Sequence, residues 1–186
     1  DAIFKSQFEI STEFKKVIEW LNENSQADKY GFSESRIGSA KGRVILSDIN
    51  LLKKLDFRDS TIFSPITLKN ISSKHNIFFY ESIIKKEFRL ENCDCEELYF
   101  TTSKLNGGLV IINSKINGTL DLVRASISET FNIRKSIFNG KLNHYQTDIN
   151  GISFRESTFN GELNFENSTI KSQVIISECK LNDNIN

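Results

Sequence analysis

Apolar residues recur along this chain with a period of eleven residues, not with the short periods of a single helix or strand. From residue 43 onward the sequence divides into thirteen units, all eleven residues long except two of ten. The units begin at residues 43, 54, 65, 76, 87, 97, 108, 119, 130, 141, 151, 162 and 173. A fixed period of this kind is typical of a repeat architecture in which each unit stacks on its neighbours.

Three positions of the unit carry large apolar residues. Positions 2, 4 and 9 are apolar in 37 of 39 instances, although only 38% of the whole chain is apolar. The exceptions are His144 at position 4 and Ser73 at position 9, while position 7 is small and most often Ser. Positions 2 and 4, like positions 7 and 9, are two residues apart, so each pair points to one side of a strand. The pattern therefore predicts a mainly β fold with two short sides in every unit.

Asn-Gly pairs recur near the end of the unit. They occur at Asn106-Gly107, Asn117-Gly118, Asn139-Gly140, Asn150-Gly151 and Asn160-Gly161. Since Gly and Asn tolerate positive φ, we expect these pairs to supply that backbone conformation at repeated tight corners. A hairpin reversal every eleven residues would be unusually regular, so corners of a solenoid are the better interpretation.

The repeat resembles the motif of the pentapeptide-repeat family, in which a small residue precedes a large apolar residue by two positions. Matching pairs are Ser103 with Leu105, Ser114 with Ile116, and Ser136 with Phe138. Stretches such as GTLDLVRASISE and GELNFENSTIKS are most similar to a bacterial variant with a period near eleven, although each pair of five-residue steps carries an extra residue. The resemblance covers about 140 of 186 residues. It implies a right-handed, quadrilateral β-solenoid with two units in each coil, hence about 6 to 7 coils.

The N-terminal segment has a different pattern. Phe14, Val17, Ile18 and Leu21 are apolar at helical spacing, and Ser11 is placed to cap a helix. We predict a helical cap over residues 1–28, a partial repeat and connection over 29–42, the solenoid over 43–183 and a tail over 184–186. A partner-binding or membrane-surface helix is the alternative for the cap. The chain contains no Met and opens on Asp, so we expect the natural chain to begin upstream.

Two surfaces are candidates for interaction. Outward residues at positions 3 and 5 of alternate units stack in columns, and one column carries Phe78, Tyr80, Tyr99, Val123 and Tyr145. We expect these residues to form an exposed stripe, of a composition that interfaces favour. The alternatives are side chains that merely suit a parallel ladder, or a platform on which sugars stack.

The second candidate surface is the C-terminal end of the solenoid. A solenoid exposes strand edges at its ends unless something covers them. We expect Val174, Ile176 and Leu181 to form an open end that meets another copy or another protein.

A search for catalytic chemistry in the sequence finds none. Cys93, Cys95 and Cys179 are predicted to be small buried thiols, and His144 is predicted to be a neutral ring hydrogen-bonded within the core. We expect no catalytic, metal-binding or cofactor-binding residues. With 24 basic and 24 acidic residues the formal net charge is zero, so no global field attracts nucleic acid. No apolar run is long enough to span a bilayer, so we expect no membrane insertion.

These observations predict a non-enzymatic scaffold or protein-interaction module that associates with a partner or with itself. One alternative is a carbohydrate-binding or carbohydrate-active β-helix, suggested by the aromatic stripe. Another is implied by the family resemblance, since some pentapeptide-repeat proteins imitate DNA and bind a topoisomerase. Those proteins are usually strongly acidic on one face, whereas this chain is neutral. We expect a cytoplasmic location, because the sequence shows no signal peptide.

Overall fold

A computed structural model describes residues 16, 18, 19, 23, 28–38 and 42–186. Within these residues the chain forms 24 short strands in two parallel sheets and almost no helix. Val44 pairs with Ile66 and Leu98 pairs with Leu120, each 22 residues later, so two eleven-residue units make one coil. The prediction of a mainly β solenoid with two units in each coil is confirmed.

The strands stack in four columns, which we call faces 1 to 4 in the order that the chain follows from residue 43. Face 1 contains β3 (Val44–Leu51), β6 (Ile66–Ser73), β9 (Phe88–Glu91), β13 (Leu109–Ile112), the second half of β16 (Ser126–Arg134), the second half of β19 (Asp148–Arg155) and β23 (Val174–Ser177). Face 2 continues β3 and β6 and adds β10 (Asp94–Cys95), β14 (Lys115–Ile116), β17 (Ile137–Phe138), β20 (Thr158–Phe159) and β24 (Lys180–Leu181).

The intervening units build the other two columns. Face 3 contains β1 (Lys29–Gly31), β4 (Lys54–Asp56), β7 (Ile77–Phe78), β11 (Leu98–Tyr99), β15 (Leu120–Asp121), β18 (Leu142–Asn143) and β21 (Leu163–Asn164). Face 4 contains β2 (Arg36–Ile37), β5 (Thr61–Ile62), β8 (Ile83–Ile84), β12 (Lys104–Leu105), the first halves of β16 and β19, and β22 (Thr169–Ile170). Seven strands on face 3 correspond to seven coils.

The first coil begins upstream of residue 43. Tyr30 pairs with Leu55 and Ile37 pairs with Ile62, and both upstream side chains are buried. Residues 184–186, for which the sequence predicts a tail, extend face 3 at the other end. Ile185 forms a parallel bridge with Leu163, in the place that position 2 of a further unit would occupy.

Large apolar side chains at positions 2, 4 and 9 fill the interior as one continuous core. Phenylalanines at position 4 stack along the axis, with ring centroids 4.9 Å apart between Phe57 and Phe79 and again between Phe79 and Phe100. All three side chains are fully buried, and burial of one such ring contributes about 1.5–3 kcal/mol. The repeat therefore aligns the same side-chain type in successive coils, which lets the core pack as ladders.

Position 7 is small because its side chain lies at the inside of a corner and bonds to the preceding coil. The Ser60 hydroxyl donates to the Phe32 carbonyl at 2.6 Å, and the Ser82 hydroxyl donates to the Phe57 carbonyl at 2.6 Å. The Cys93 thiol donates to the Leu68 carbonyl at 3.3 Å in the same arrangement. Cys93 is thus a buried thiol in the place of a serine, as the sequence predicts. Cys95 is also buried, whereas Cys179 is only half-buried.

Positive φ angles occur at position 6, not at the Asn-Gly pairs, so that part of the corner prediction is wrong. Fourteen non-glycine residues, one in each of the thirteen units and one upstream of them, have φ between 49° and 57°: Glu34, Asp48, Asp59, Asn70, Glu81, Asn92, Thr102, Asn113, Arg124, Lys135, Gln146, Glu156, Asn167 and Glu178. Gly107, Gly118, Gly140 and Gly161 are required for space instead, whereas a Cβ on Gly151 would meet nothing closer than 3.3 Å. A Cβ on Gly140 would lie 2.4 Å from the Gly118 carbonyl oxygen in the coil below.

His144 is buried but lacks the predicted hydrogen bond. Neither ring nitrogen has a partner among the described residues. The ring stacks on Phe165 with centroids 4.8 Å apart and contacts Phe131 at 5.2 Å. His144 thus occupies a rung of the position 4 ladder, where its neighbours are rings that offer no polar group.

Most of the predicted helical cap lies outside the described residues. Lys16, Ile18, Glu19 and Glu23 have helical backbone, and the Ile18 side chain is fully buried against the solenoid core. In the described part of the chain, no helix is both long and apolar enough to cross a membrane.

Candidate interaction surfaces

Three aromatic side chains meet on the outside of face 3. Phe78 contacts Tyr80 with ring centroids 5.5 Å apart and contacts Tyr99 at 5.4 Å, while Tyr80 and Tyr99 are 5.4 Å apart. Each ring is half-buried, so one side faces solvent. We call Phe78, Tyr80 and Tyr99 the aromatic cluster. It forms because positions 3 and 5 point outward on two successive coils that are in register, with Phe78 beside Tyr99.

The predicted stripe is not continuous along face 3. Val123 and Tyr145 lie on the same face and are also half-buried. Asp121 and Asn143 occupy position 3 of the two coils after Tyr99, so they separate the aromatic cluster from Tyr145. Within the described residues Tyr145 contacts no other ring. The structure thus shows mutual ring contacts among three of the five predicted residues, whereas Val123 and Tyr145 lie on the two following coils.

A buried ion pair borders the aromatic cluster on the side of the first coils. The Asp56 carboxylate is fully buried next to Phe78 and accepts hydrogen bonds from Lys29 Nζ at 2.7 Å and from Arg58 Nη2 at 2.8 Å. Burial by itself raises the pKa of Asp56, but the bonds from Arg58 and Lys29 outweigh it and lower the pKa to about 2. A cavity of about 260 Å³ lies here, with Phe78 and Tyr80 in its wall.

Two carboxylates border the aromatic cluster on its other side. The Tyr99 hydroxyl donates to Glu97 Oε2 at 2.7 Å, and Asp121 lies beside Tyr99 on the next coil. Burial, followed by the charges of Asp121 and Glu97, raises the pKa of Tyr80, and burial with the Glu97 bond raises the pKa of Tyr99. Burial also raises the pKa of Asp121. Within the described residues neither Glu97 nor Asp121 forms an ion pair; we call them the carboxylate pair.

The predicted open end carries exposed apolar side chains. Val174, Ile176 and Leu181 are exposed by 52%, 45% and 39%, although they occupy positions that are buried in the central coils. Ile185, which the sequence analysis did not single out, is exposed by 54%. Among the described residues, β23 pairs only with β19 and β24 pairs only with β20, so one edge of each strand is unpaired.

A polar ladder at the corner between faces 1 and 2 was not predicted. Asn70 donates to Asp48 at 2.6 Å, Asn92 donates to Asn70 at 3.2 Å, and Asn113 donates to Asn92 at 3.3 Å. A shallow groove of about 470 Å³ runs beside these amides, with Cys93 at its floor. The sequence signal is Asp or Asn at position 6 of the four units that begin at residues 43, 65, 87 and 108, which are neighbours only because two units make one coil. In the described part of the chain, no three His, Cys, Asp or Glu side chains come together in a way that could hold a metal ion.

Comparison with protein-family models, with curated proteins and with solved structures found no match for this chain. The resemblance to the pentapeptide-repeat family therefore stays a prediction from the repeat itself. On its architecture, the chain is a parallel β-solenoid of about seven coils with two eleven-residue units in each coil.

Proposed function

We propose that this chain is a non-enzymatic interaction module that binds a protein partner, or a second copy of itself, through face 3. The observation that carries the proposal is the aromatic cluster. Phe78, Tyr80 and Tyr99 present three half-buried rings in mutual contact on a flat, regular surface. Tyrosine and phenylalanine are enriched in interfaces, and tyrosine is over-represented among the residues that dominate binding energy.

The solenoid also supports the proposal through rigidity. The backbone under the aromatic cluster is paired on both sides, since β7 pairs with β4 and β11, and β11 also pairs with β15. The rings further restrain one another by contact. When a partner covers these rings, the solenoid itself loses little conformational entropy. More of the contact energy therefore contributes to the free energy of binding.

A double variant, Tyr80→Ser with Tyr99→Ser, tests the proposal. Both side chains point outward, so we expect the fold to persist, which circular dichroism checks. Wild type and variant are immobilised in parallel and exposed to extract of the native cells. The variant should bind proteins that dock on face 3 at least tenfold more weakly than wild type. Loss of hot-spot rings costs at least about 2 kcal/mol, and a tenfold loss of affinity corresponds to only about 1.4 kcal/mol. Sedimentation velocity at rising concentration identifies a second copy as the partner.

The matched control removes apolar area from another face. Ile45 and Ile112 are half-buried, outward side chains on face 1, and Ile45→Ser with Ile112→Ser should retain the interactions of wild type. If the two double variants bind the same proteins to the same extent, face 3 is not a protein-docking surface. A glycan array with the same variants separates sugar stacking from protein binding, since loss of glycan binding in the tyrosine variant alone would replace the proposal.

A further inference from the structure

The charges on face 3 differ between the two sides of the aromatic cluster. On the side of the first coils, Lys29 and Arg58 both bond to Asp56, so their charges are partly neutralised within the protein. On the other side, Glu97 and Asp121 form no ion pair with any described residue. The charge of Lys141 acts on Asp121, but the Lys141 ammonium forms its ion pair with Glu162 at 2.9 Å. The solvent-facing edge of Tyr99 is therefore bordered by two carboxylates, neither of which has a direct ion-pair partner among the described residues.

The carboxylate pair is held in position. Glu97 accepts the Tyr99 hydroxyl at 2.7 Å, and its side chain lies across Gly118, where an added Cβ would come within 2.6 Å of Glu97 Cγ. Asp121 accepts the Val123 backbone N–H at 2.8 Å. Each carboxylate keeps lone pairs free, since a carboxylate offers about four acceptor sites. Two fixed, half-buried acceptors next to aromatic faces form a site that a cation would complete.

We infer that the segment docking on the aromatic cluster is basic, with an arginine or lysine that lies over Tyr80 and Tyr99 and bonds to Glu97 and Asp121. The inference rests on the proposed function and names the chemistry of its partner. A cation over an aromatic face is attracted by the ring, and arginine can also bond to carboxylates through two N–H groups at once. An acidic segment would instead place like charges beside the carboxylate pair.

Short peptides test this inference on the intact chain. Tyrosine rings are labelled with carbon-13 and followed by NMR while Ac-Gly-Arg-Arg-Gly-amide, its Glu-Glu counterpart or its Leu-Leu counterpart is added. The chain has four tyrosines, and Tyr30 is fully buried, so its signal is an internal reference. We expect the arginine peptide to shift the Tyr80 and Tyr99 signals, with a weaker effect as salt rises. Tyr80→Phe and Tyr99→Phe assign the signals.

Charge variants show whether the carboxylate pair is responsible. Glu97→Gln with Asp121→Asn should weaken the arginine peptide at least fivefold. Glu129→Gln with Glu178→Gln removes the same charge from exposed corners away from face 3 and should leave binding unchanged. Binding that survives loss of the carboxylate pair, or a stronger response to the Glu-Glu or Leu-Leu peptide, would overturn the inference and leave the proposed function standing. If no peptide shifts Tyr80 or Tyr99, the inference fails, and the recovery experiment with the two double variants decides the proposed function separately.

Discussion

At the residue scale, the most informative side chains are those that depart from the repeat. His144 takes a core position that is apolar in every other unit of the sequence repeat, and it has no hydrogen-bond partner within the part of the chain that the structure describes. Asp56 takes an outward position on face 3, yet it is fully buried between Lys29 and Arg58. Both side chains make the free energy of unfolding depend on pH, in different pH ranges and for different reasons.

Replacement of His144 by Phe should stabilise the protein and make it less sensitive to acid. Burial lowers the pKa of His144 to about 3 from 6.5, so below pH 6.5 the unfolded chain takes up a proton that the folded core excludes. Relative to His144→Phe, wild type should lose about 1.4 kcal/mol for each pH unit between about 6.5 and 3, which is about 2 kcal/mol at pH 5. Urea titrations at pH 7 and pH 5 measure the difference.

The other histidine provides the control for this prediction. His75 is only half-buried, so His75→Asn should keep the acid sensitivity of wild type. If wild type and His144→Phe differ in free energy of unfolding by the same amount at pH 7 and at pH 5, the proton uptake does not belong to His144.

Asp56→Asn should destabilise the protein at neutral pH. The carboxylate is buried, but Lys29 and Arg58 are exposed by 39% and 44%, so screening reduces the loss to on the order of 1–2 kcal/mol. Because the pKa of Asp56 is lowered from 3.8 to about 2, its contribution is present above pH 4 and is lost as the pH falls towards 2. Thermal denaturation of wild type and Asp56→Asn at pH 7 and at pH 2.5 checks this. A difference in melting temperature that is as large at pH 2.5 as at pH 7 would argue against an ionic contribution.

At the element scale, the strands are short and stability comes from their stacking. Many strands contain only two residues, and each pairs with the strand one coil away. Position 6 holds positive φ in fourteen residues, all polar or charged but of several types, so no single residue type marks the corner in the sequence. The Asn-Gly pairs, by contrast, are visible in the sequence, but their glycines serve close approach between coils.

Gly140→Ala should cost about 1–3 kcal/mol, the usual cost of overpacking, because its Cβ would lie 2.4 Å from the Gly118 carbonyl oxygen. Gly31→Ala is the matched control, since its Cβ would meet nothing closer than Lys29 Cε at 4.0 Å. Chemical denaturation compares the two variants with wild type. Equal denaturation midpoints for the two variants would show that the coils can move apart to accept the Gly140→Ala methyl group with little loss of stability, contrary to the close stacking described above.

At the scale of the whole molecule, a solenoid is a one-dimensional stack in which every coil contacts only its neighbours. The coils between residues 88 and 154 are paired on both sides, whereas in the described chain β23 and β24 are paired on one side only. The core is therefore continuous, but the free energy of opening is not uniform along the axis.

Hydrogen exchange of the 186-residue chain should show this gradient. We expect amides of residues 162–186 to exchange at least tenfold faster than those of 88–134, because the end can open without disrupting two interfaces. Mass spectrometry of peptic peptides measures the rates, and the peptides of the central coils are the internal control. Uniform protection along the axis would mean that the solenoid opens as a single cooperative unit.

The sequence alone determined the fold class, the inward positions and the number of coils to within one. These features follow from burial, and burial leaves a periodic record because positions 2, 4 and 9 must be apolar in almost every unit. The same record located the outward positions, so the sequence also named the members of the aromatic cluster.

Only the tertiary structure decided which outward residues act together. Phe78, Tyr80 and Tyr99 come into contact because their coils are in register, while Asp121 and Asn143 isolate Tyr145. Three further features also appear only in three dimensions: the ion pairs of Asp56, the lack of a direct ion pair at Glu97 and Asp121 among the described residues, and the positive φ at position 6. The reason is that the Lys29–Asp56 bond spans 27 residues and Phe78 pairs with Tyr99 on the next coil, so no single unit contains both partners of these contacts. Arg58 and Tyr99 also bond to residues two positions away, Asp56 and Glu97, but only the structure shows that these side chains point toward each other.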